Sequence, residues 1–140
     1  MSTTKLVWHE HFRFTGSDSR GKPVAIDAHL EGKGAKPSDL LPISLAACTA
    51  YDIVNILYKQ RQDLQDLEAT MESEQDPDPP WTFRRITVKY VARGRVDPTK
   101  AQKALELSEQ KYCSISATLR PVVELTFQIE VENEPAEAGE

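Results

Sequence analysis

Two cysteines are the residues of this 140-residue chain that are best suited to chemistry. Cys48 lies in a run of small and apolar residues, and Cys113 lies far downstream, ahead of a segment rich in serine. A thiol surrounded by apolar atoms has a raised pKa and stays unreactive, whereas nearby cations or hydrogen-bond donors make it a nucleophile. The cysteines are therefore either packing residues of the core or a redox pair.

Two charged residues ahead of Cys48 are candidates to act on its thiol. Arg20 lies in a predicted turn and is the candidate activating cation, although a turn arginine is ordinarily only solvated. Asp39 precedes a long apolar segment, where a carboxylate suits either a helix cap or an acid–base role. The sequence leaves both alternatives open for each residue.

Cys113 is followed by residues 114–119, which predict a short helical turn. The N-terminus of such a turn places positive partial charge beside the thiol and favours its ionisation. A sulfenic acid on Cys48 would condense with Cys113 if the two Cα atoms lay roughly 4.4–6.8 Å apart. The tertiary fold, and not the sequence, sets this distance.

Alternating apolar and polar residues predict five strands with one buried face each. The segments are residues 6–14, 24–30, 67–72, 86–92 and 123–132. The first is predicted as one continuous strand that buries Leu6, Trp8, Phe12 and Phe14 and pairs with the second.

Two helices are predicted between these strands. Residues 40–58 carry apolar side chains on nearly every side, which predicts a helix that is buried all round. Asp97 and Pro98 predict the start of a second, amphipathic helix that ends near Cys113. The order of elements predicts an α+β fold, with an antiparallel sheet around a long buried helix.

A helix that is apolar on every side needs more cover than one small sheet provides. The simplest additional cover is a second copy of the chain, so we expect an intertwined homodimer in which the two long helices share a core.

Length and composition predict a single domain over residues 1–132 and a disordered acidic tail over residues 133–140. The formal net charge of −5 provides no global positive field, which argues against nucleic acid as a partner.

No signal peptide is predicted near the N-terminus, and the apolar run around residues 40–57 contains too many polar residues for an ordinary membrane span. We therefore expect a cytoplasmic protein without a membrane partner. His9, His11 and His29 fit a polar strand surface better than a ligand set, so no metal and no cofactor are expected.

Three short motifs in one register identify a family resemblance. KPSDLL at residues 36–41, AACTAYD at 46–52 and KYCS at 111–114 resemble the OsmC/Ohr family, and the match spans almost the whole chain. Ser38 stands where characterised peroxidases of that family place a glutamate, and Asp39 supplies the neighbouring carboxylate.

The resemblance implies an OsmC-like fold, an intertwined homodimer with active sites at the subunit interface, and cysteine-based reduction of organic hydroperoxides. It implies that Cys48 is the peroxidatic residue and Cys113 the resolving residue, with Arg20 and Asp39 as the candidate activating pair. It also implies a small apolar hydroperoxide as substrate and a dithiol reductant such as a lipoylated protein.

One alternative function remains open at this stage. The same fold could serve as a non-catalytic protein that binds a small hydrophobic ligand at the dimer interface, and Ser38 in the glutamate position favours it.

Overall fold

The structure is a computed structural model that describes residues 1–134. These residues form two compact units, Met1–Leu41 and the chain from Pro42 onward. The tail predicted to be disordered lies outside the described residues from residue 135 on, while Asn133 belongs to the last strand.

The first unit is built on a three-stranded antiparallel sheet in the order β1-β2-β3. Its strands are β1 (Lys5–Glu10), β2 (Arg13–Ser17) and β3 (Pro23–Asp27). The predicted pairing of the first segment with the second holds only for Arg13 and Phe14, which pair with β3, because residues 6–10 belong to β1, which pairs with β2.

The prediction of one strand over residues 6–14 was wrong, because the chain turns back at His11 and Phe12. His11 takes a left-handed φ of 48°, and Glu10 pairs with Arg13 across the turn. Pairing Glu10 with Arg13 would by itself reverse the alternation, but a bulge between Trp8 and Glu10 shifts the register so that Trp8 pairs with Phe14. Even-numbered residues of β1 and β2 therefore share a face, as they would in a single strand. Leu6, Trp8 and Phe12 are also exposed in the single chain instead of buried.

A 3-10 turn (Pro37–Asp39) ends the first unit and runs directly into helix α1 (Leu40–Lys59). The cap position of this turn is Lys36, and no side chain caps it. Asp39 therefore lies inside the helical segment and is not its cap, which corrects the capping alternative.

The second unit contains a three-stranded sheet covered by helices. Its strands β4 (Asp63–Gln75), β5 (Phe83–Arg95) and β6 (Glu124–Asn133) lie in the order β4-β5-β6. Between β5 and β6 the chain forms α2 (Pro98–Leu107), a π-helical turn (Ser108–Tyr112) and α3 (Ser114–Leu119). This confirms the α+β class.

The second sheet is mixed, whereas the sequence predicted an antiparallel one. β4 and β5 are antiparallel, but β5 and β6 are parallel. The helical segment between β5 and β6 returns the chain to the end of the sheet where β5 began, and such a crossover produces a parallel pair.

The core of the second unit joins one face of the sheet to α1 and α2. Ile86, Val88 and Tyr90 of β5 are buried at alternate positions, which puts them on the same face of the strand. They form one apolar cluster with helix residues, among which Leu45, Ile53, Leu57, Ala101 and Leu105 are fully or almost fully buried.

In the single chain, helix α1 buries only one of its faces. Tyr51 is 71% exposed and Tyr58 is 61% exposed, so the expected burial on every side is not met by this chain alone. The helical segment Pro37–Lys59 is long and apolar enough to cross a membrane by length and composition alone, as core helices of soluble proteins also are. Its buried residues pack as those of a core helix.

The predicted start of α2 is confirmed. The side chain of Asp97 accepts a hydrogen bond from the backbone N–H of Thr99 at 2.8 Å, and Pro98 occupies the first helical position. This cap fixes the beginning of the helix that leads to Cys113.

Asp97→Ala should lower the free energy of unfolding by about 1 kcal/mol, because the N–H of Thr99 loses its acceptor. Asp97→Asn should restore most of the loss, since the amide oxygen can accept the same bond. Urea denaturation of the three proteins measures this. Equal midpoints for wild type and Asp97→Ala would show that the cap contributes nothing.

Candidate active site

The two cysteines lie next to each other in the second unit. Cys48 comes from the middle of α1, and Cys113 lies between the π-helical turn and α3. Both are free thiols, and they are close enough for a hydrogen bond between their side chains. Cys48 is partly exposed, whereas Cys113 is only 3% exposed.

Cys113 is held by the backbone on both sides of it. Its N–H donates to the carbonyl of Ser108 at 2.9 Å, which closes the π-helical turn. Its extended backbone then makes it the cap residue of α3, and its Sγ accepts from the N–H of Ser116 at 3.3 Å. The helical turn predicted after Cys113 is confirmed. Single π-helical turns occur often at functional sites.

The pKa of Cys113 is lowered despite burial. Burial alone would raise the pKa, but hydrogen bonds to the sulfur from the N–H of Ser116, from Thr49 and from Cys48 outweigh it. The donors are uncharged groups, and they favour the thiolate because a negative sulfur is a far stronger acceptor than a neutral one.

The pKa of Cys48 shifts in the opposite direction. Burial raises the pKa, and the hydrogen bond and charge of Cys113 raise it further, against weaker opposing contributions from the backbone at Ile115 and Ser114. The two thiols are thus unequal. Cys48 keeps its proton while Cys113 is the first to lose one.

The buried hydroxyl groups of Tyr90 and Thr49 lie beside the two cysteines. Tyr90 is 1% exposed and donates to the carbonyl of Ala46 at 2.7 Å, which ties β5 to α1 one turn before Thr49. Burial raises the pKa of Tyr90 well above its ordinary value, although the nearby Thr49 hydroxyl acts in the opposite direction, so the hydroxyl of Tyr90 stays protonated.

A second link joins α1 to the π-helical turn. The fully buried Ser108 donates its hydroxyl proton to Oδ2 of Asp52 at 2.6 Å. Asp52 lies one turn after Cys48 on α1, and Ser108 begins the turn that leads to Cys113. This bond therefore joins the helix that carries Cys48 to the turn that precedes Cys113.

The other predicted site residues belong to the first unit. Arg20 is bonded to Asp18, with Nη2 3.1 Å from Oδ2, and its side chain is 78% exposed. The backbone N–H groups of Lys22 and Arg20 lower the pKa of Asp18, which keeps this partner charged. Asp39 lies in the 3-10 turn. The catalytic roles of Arg20 and Asp39 stay predictions.

The sequence did not single out Thr49, Ser108 or Ser116 as site residues. Thr49 directly follows Cys48, and Ser116 lies three residues after Cys113, which is the spacing of a capped helix start. The latter spacing is a signal that could have been found. Ser108 carries no such signal, because its role depends on the approach of α1.

Within residues 1–134 no group of three His, Cys, Asp or Glu side chains is arranged to hold a metal ion. The chemistry available to the site is that of the dithiol: one thiolate, one thiol and a disulfide as the oxidised product.

An open groove of about 420 Å³ runs along the exposed side of α1. Ala50, Tyr51, Val54, Asn55 and Tyr58 line it. It offers an apolar surface on the helix that carries Cys48.

Comparison with known proteins gives consistent matches. Residues 30–128 match the family model described as OsmC-like protein. The chain is 30% identical over 128 residues to Protein YhfA of Escherichia coli K12, which covers 91% of this chain and 96% of YhfA.

Solved structures share the fold. A hypothetical protein from Aquifex aeolicus VF5 superposes with a TM-score of 0.84 at 29% identity, covering 96% of this chain and 98% of that one. An organic hydroperoxide resistance protein OsmC from Legionella pneumophila gives a TM-score of 0.66 at 19% identity, covering 94% and 97%.

The lowered pKa of Cys113 makes stability depend on pH, and the dependence is simplest to read in a Cys48→Ser background. The native state favours the thiolate, so this contribution is complete above the ordinary pKa of 9.0 and is lost as pH falls through the lowered native pKa. The free energy of unfolding of Cys48→Ser, relative to Cys48→Ser/Cys113→Ser, should therefore rise with pH across that window. A difference that stays constant or falls with pH would contradict the assignment.

Proposed function

This chain belongs to the OsmC-like family, and from that premise we propose that it reduces organic hydroperoxides with the Cys48–Cys113 dithiol. The observation that carries the proposal is the contact between two thiols that come from distant parts of the chain. The names of structural neighbours such as the Legionella pneumophila protein point to the same class of substrate.

Cys48 is the proposed peroxidatic residue because its sulfur is the more accessible of the two. The sulfur attacks the distal oxygen of the hydroperoxide, the O–O bond breaks, and an alcohol leaves. Cys48 is oxidised to a sulfenic acid, with the two electrons going to the substrate.

Cys113 is the proposed resolving residue. Its thiolate attacks the sulfenic sulfur of Cys48, an S–S bond forms, and hydroxide leaves to be protonated by solvent. An external dithiol, such as a lipoylated protein, then reduces the disulfide by thiol exchange. A cytoplasmic location suits this cycle, because reduced thiols persist there.

One equivalent of cumene hydroperoxide should remove two hydrogens per chain in intact-mass spectra, as the disulfide forms. Cys48→Ser should abolish peroxide consumption. Cys113→Ser should leave a sulfenic acid on Cys48 that dimedone traps. Absence of the disulfide in the wild-type protein would count against the peroxidase.

A non-catalytic function is the competing proposal, and the apolar groove on α1 favours it. If the chain only binds a small hydrophobic ligand there, Cys48→Ser leaves affinity for an apolar dye nearly unchanged and the wild-type protein consumes no peroxide. The same pair of proteins thus separates the two functions.

We also propose that the working unit is a homodimer that covers the exposed face of α1. Tyr51 and Tyr58 place two large aromatic rings in solvent in the single chain, and exposed aromatic patches of this kind mark interaction surfaces. The predicted burial of α1 on every side requires a partner on this face.

Light scattering should therefore give twice the chain mass for the wild-type protein. Tyr51→Glu/Tyr58→Glu should shift it toward monomer, because charges cannot be buried unpaired in the interface. Val122→Glu, at an exposed apolar residue that lies between α3 and β6, serves as the matched control and should leave the mass unchanged. A monomeric wild-type protein would refute the dimer.

A further inference from the structure

The hydroxyl of Thr49 is a buried polar group without a conventional partner. Among side chains of residues 1–134, its Oγ1 is the one buried nitrogen or oxygen atom that lacks a hydrogen bond of ordinary geometry. Thr49 is fully buried, and a buried hydroxyl without a partner is unfavourable. Such a group points to an interaction that the neutral form of the site does not complete.

The neighbours of Thr49 narrow the choice of acceptor. The hydroxyl of Tyr90 already donates to Ala46, so it has no proton left to offer Thr49. The sulfur of Cys113 is the other neighbour with which Thr49 interacts. A neutral thiol sulfur accepts hydrogen bonds weakly, whereas a thiolate accepts them strongly.

Three groups that can donate a hydrogen bond act on that sulfur. The N–H of Ser116 bonds it at 3.3 Å, and the S–H of Cys48 and the hydroxyl of Thr49 interact with it. The hydroxyl of Ser116 also lies nearby but donates to the carbonyl of Cys113 at 3.1 Å. Three donors around one buried sulfur form a cradle for negative charge, and the cradle is complete only when Cys113 is ionised.

We propose that Thr49 is a positioning residue whose hydroxyl donates to the sulfur of Cys113, so that the reduced pair carries its charge on Cys113 and its remaining proton on Cys48. This inference rests on the proposed function for its role in catalysis. In this proposal Cys113 acts twice. It first accepts the proton of Cys48 as a base, and it later forms the disulfide as the resolving residue.

The proton path balances. Cys48 transfers its proton to the Cys113 thiolate and attacks the distal peroxide oxygen as a thiolate. The leaving alkoxide takes that proton back from Cys113, so an alcohol departs and Cys113 is again a thiolate. It then attacks the sulfenic sulfur and releases hydroxide, as above.

Other titratable groups lie on the elements that carry or cover the two cysteines. Cys48 and Asp52 come from α1, and Asp52 is bonded to Ser108. Tyr90 comes from β5. Glu109 of the π-helical turn pairs with Arg120 after α3, at 3.9 Å.

Protein labelled with ¹³C at the cysteine Cβ atoms tests this by NMR titration without any peroxide. Cys48→Ser and Cys113→Ser assign the two signals. In the wild-type protein the Cys113 signal should move at lower pH than the Cys48 signal, and Thr49→Val should raise the Cys113 midpoint by about one pH unit. Thr49→Ser should keep it within a few tenths of a unit.

Thr70→Val is the matched control, since Thr70 is exposed on β4 and its loss should not move either midpoint. The inference is overturned if Cys48 titrates first in the wild-type protein, a result that needs no variant at position 49. It is also overturned if folded Thr49→Val titrates as wild type does.

The titration tests the charge on Cys113, and peroxide consumption tests the peroxidase, so the two proposals can fail independently. The expected order of titration in a protein that consumes no hydroperoxide would uphold the charge on Cys113 and reject the peroxidase. The reverse order in an active enzyme would reject this inference and leave the peroxidase in place.

Discussion

The contact between the thiols of Cys48 and Cys113 is the interaction on which the proposed chemistry of this protein depends, and it exists because α1 and the helical crossover cover the same core. Alternate residues of β5 bury one face of the sheet, and buried residues of α1 and α2 join that cluster. Two hydrogen bonds then fix the position of α1: Tyr90 of the sheet bonds Ala46, and Ser108 of the crossover bonds Asp52. A shift of α1 by one turn would separate the sulfurs.

The same contact makes the thiols unequal. The N–H of Ser116 bonds the sulfur of Cys113, and uncharged donors outweigh burial there. At Cys48 the backbone at Ile115 and Ser114 acts in the same sense, but burial and the neighbouring Cys113 outweigh it. The balance of burial and donors thus decides which thiol ionises first, and exposure decides which one can meet a substrate. Separating these properties between two residues suits a reaction in which one sulfur attacks and the other manages the proton.

Much of the fold could be predicted from residue patterns. The Asp97 cap and the helical turn after Cys113 follow from local signals that act over a few residues. The errors have local causes as well. The hairpin at His11 preserves the alternation of a single strand, and the parallel pairing of β6 depends on the path of three helical segments. The prediction of Asp39 as a helix cap was wrong because the helical segment begins earlier, at Pro37.

The sequence by itself determined the family, the α+β class and the pair of cysteines, because short motifs and residue periodicity are properties of the chain and need no contacts to be read. Tertiary structure alone decided that the two sulfurs meet and that Thr49 and Ser108 support them. Each of these depends on atoms that are distant in sequence. Hydrogen bonds act over about 3 Å, so only the packing of α1 against β5 and the crossover brings their partners within reach.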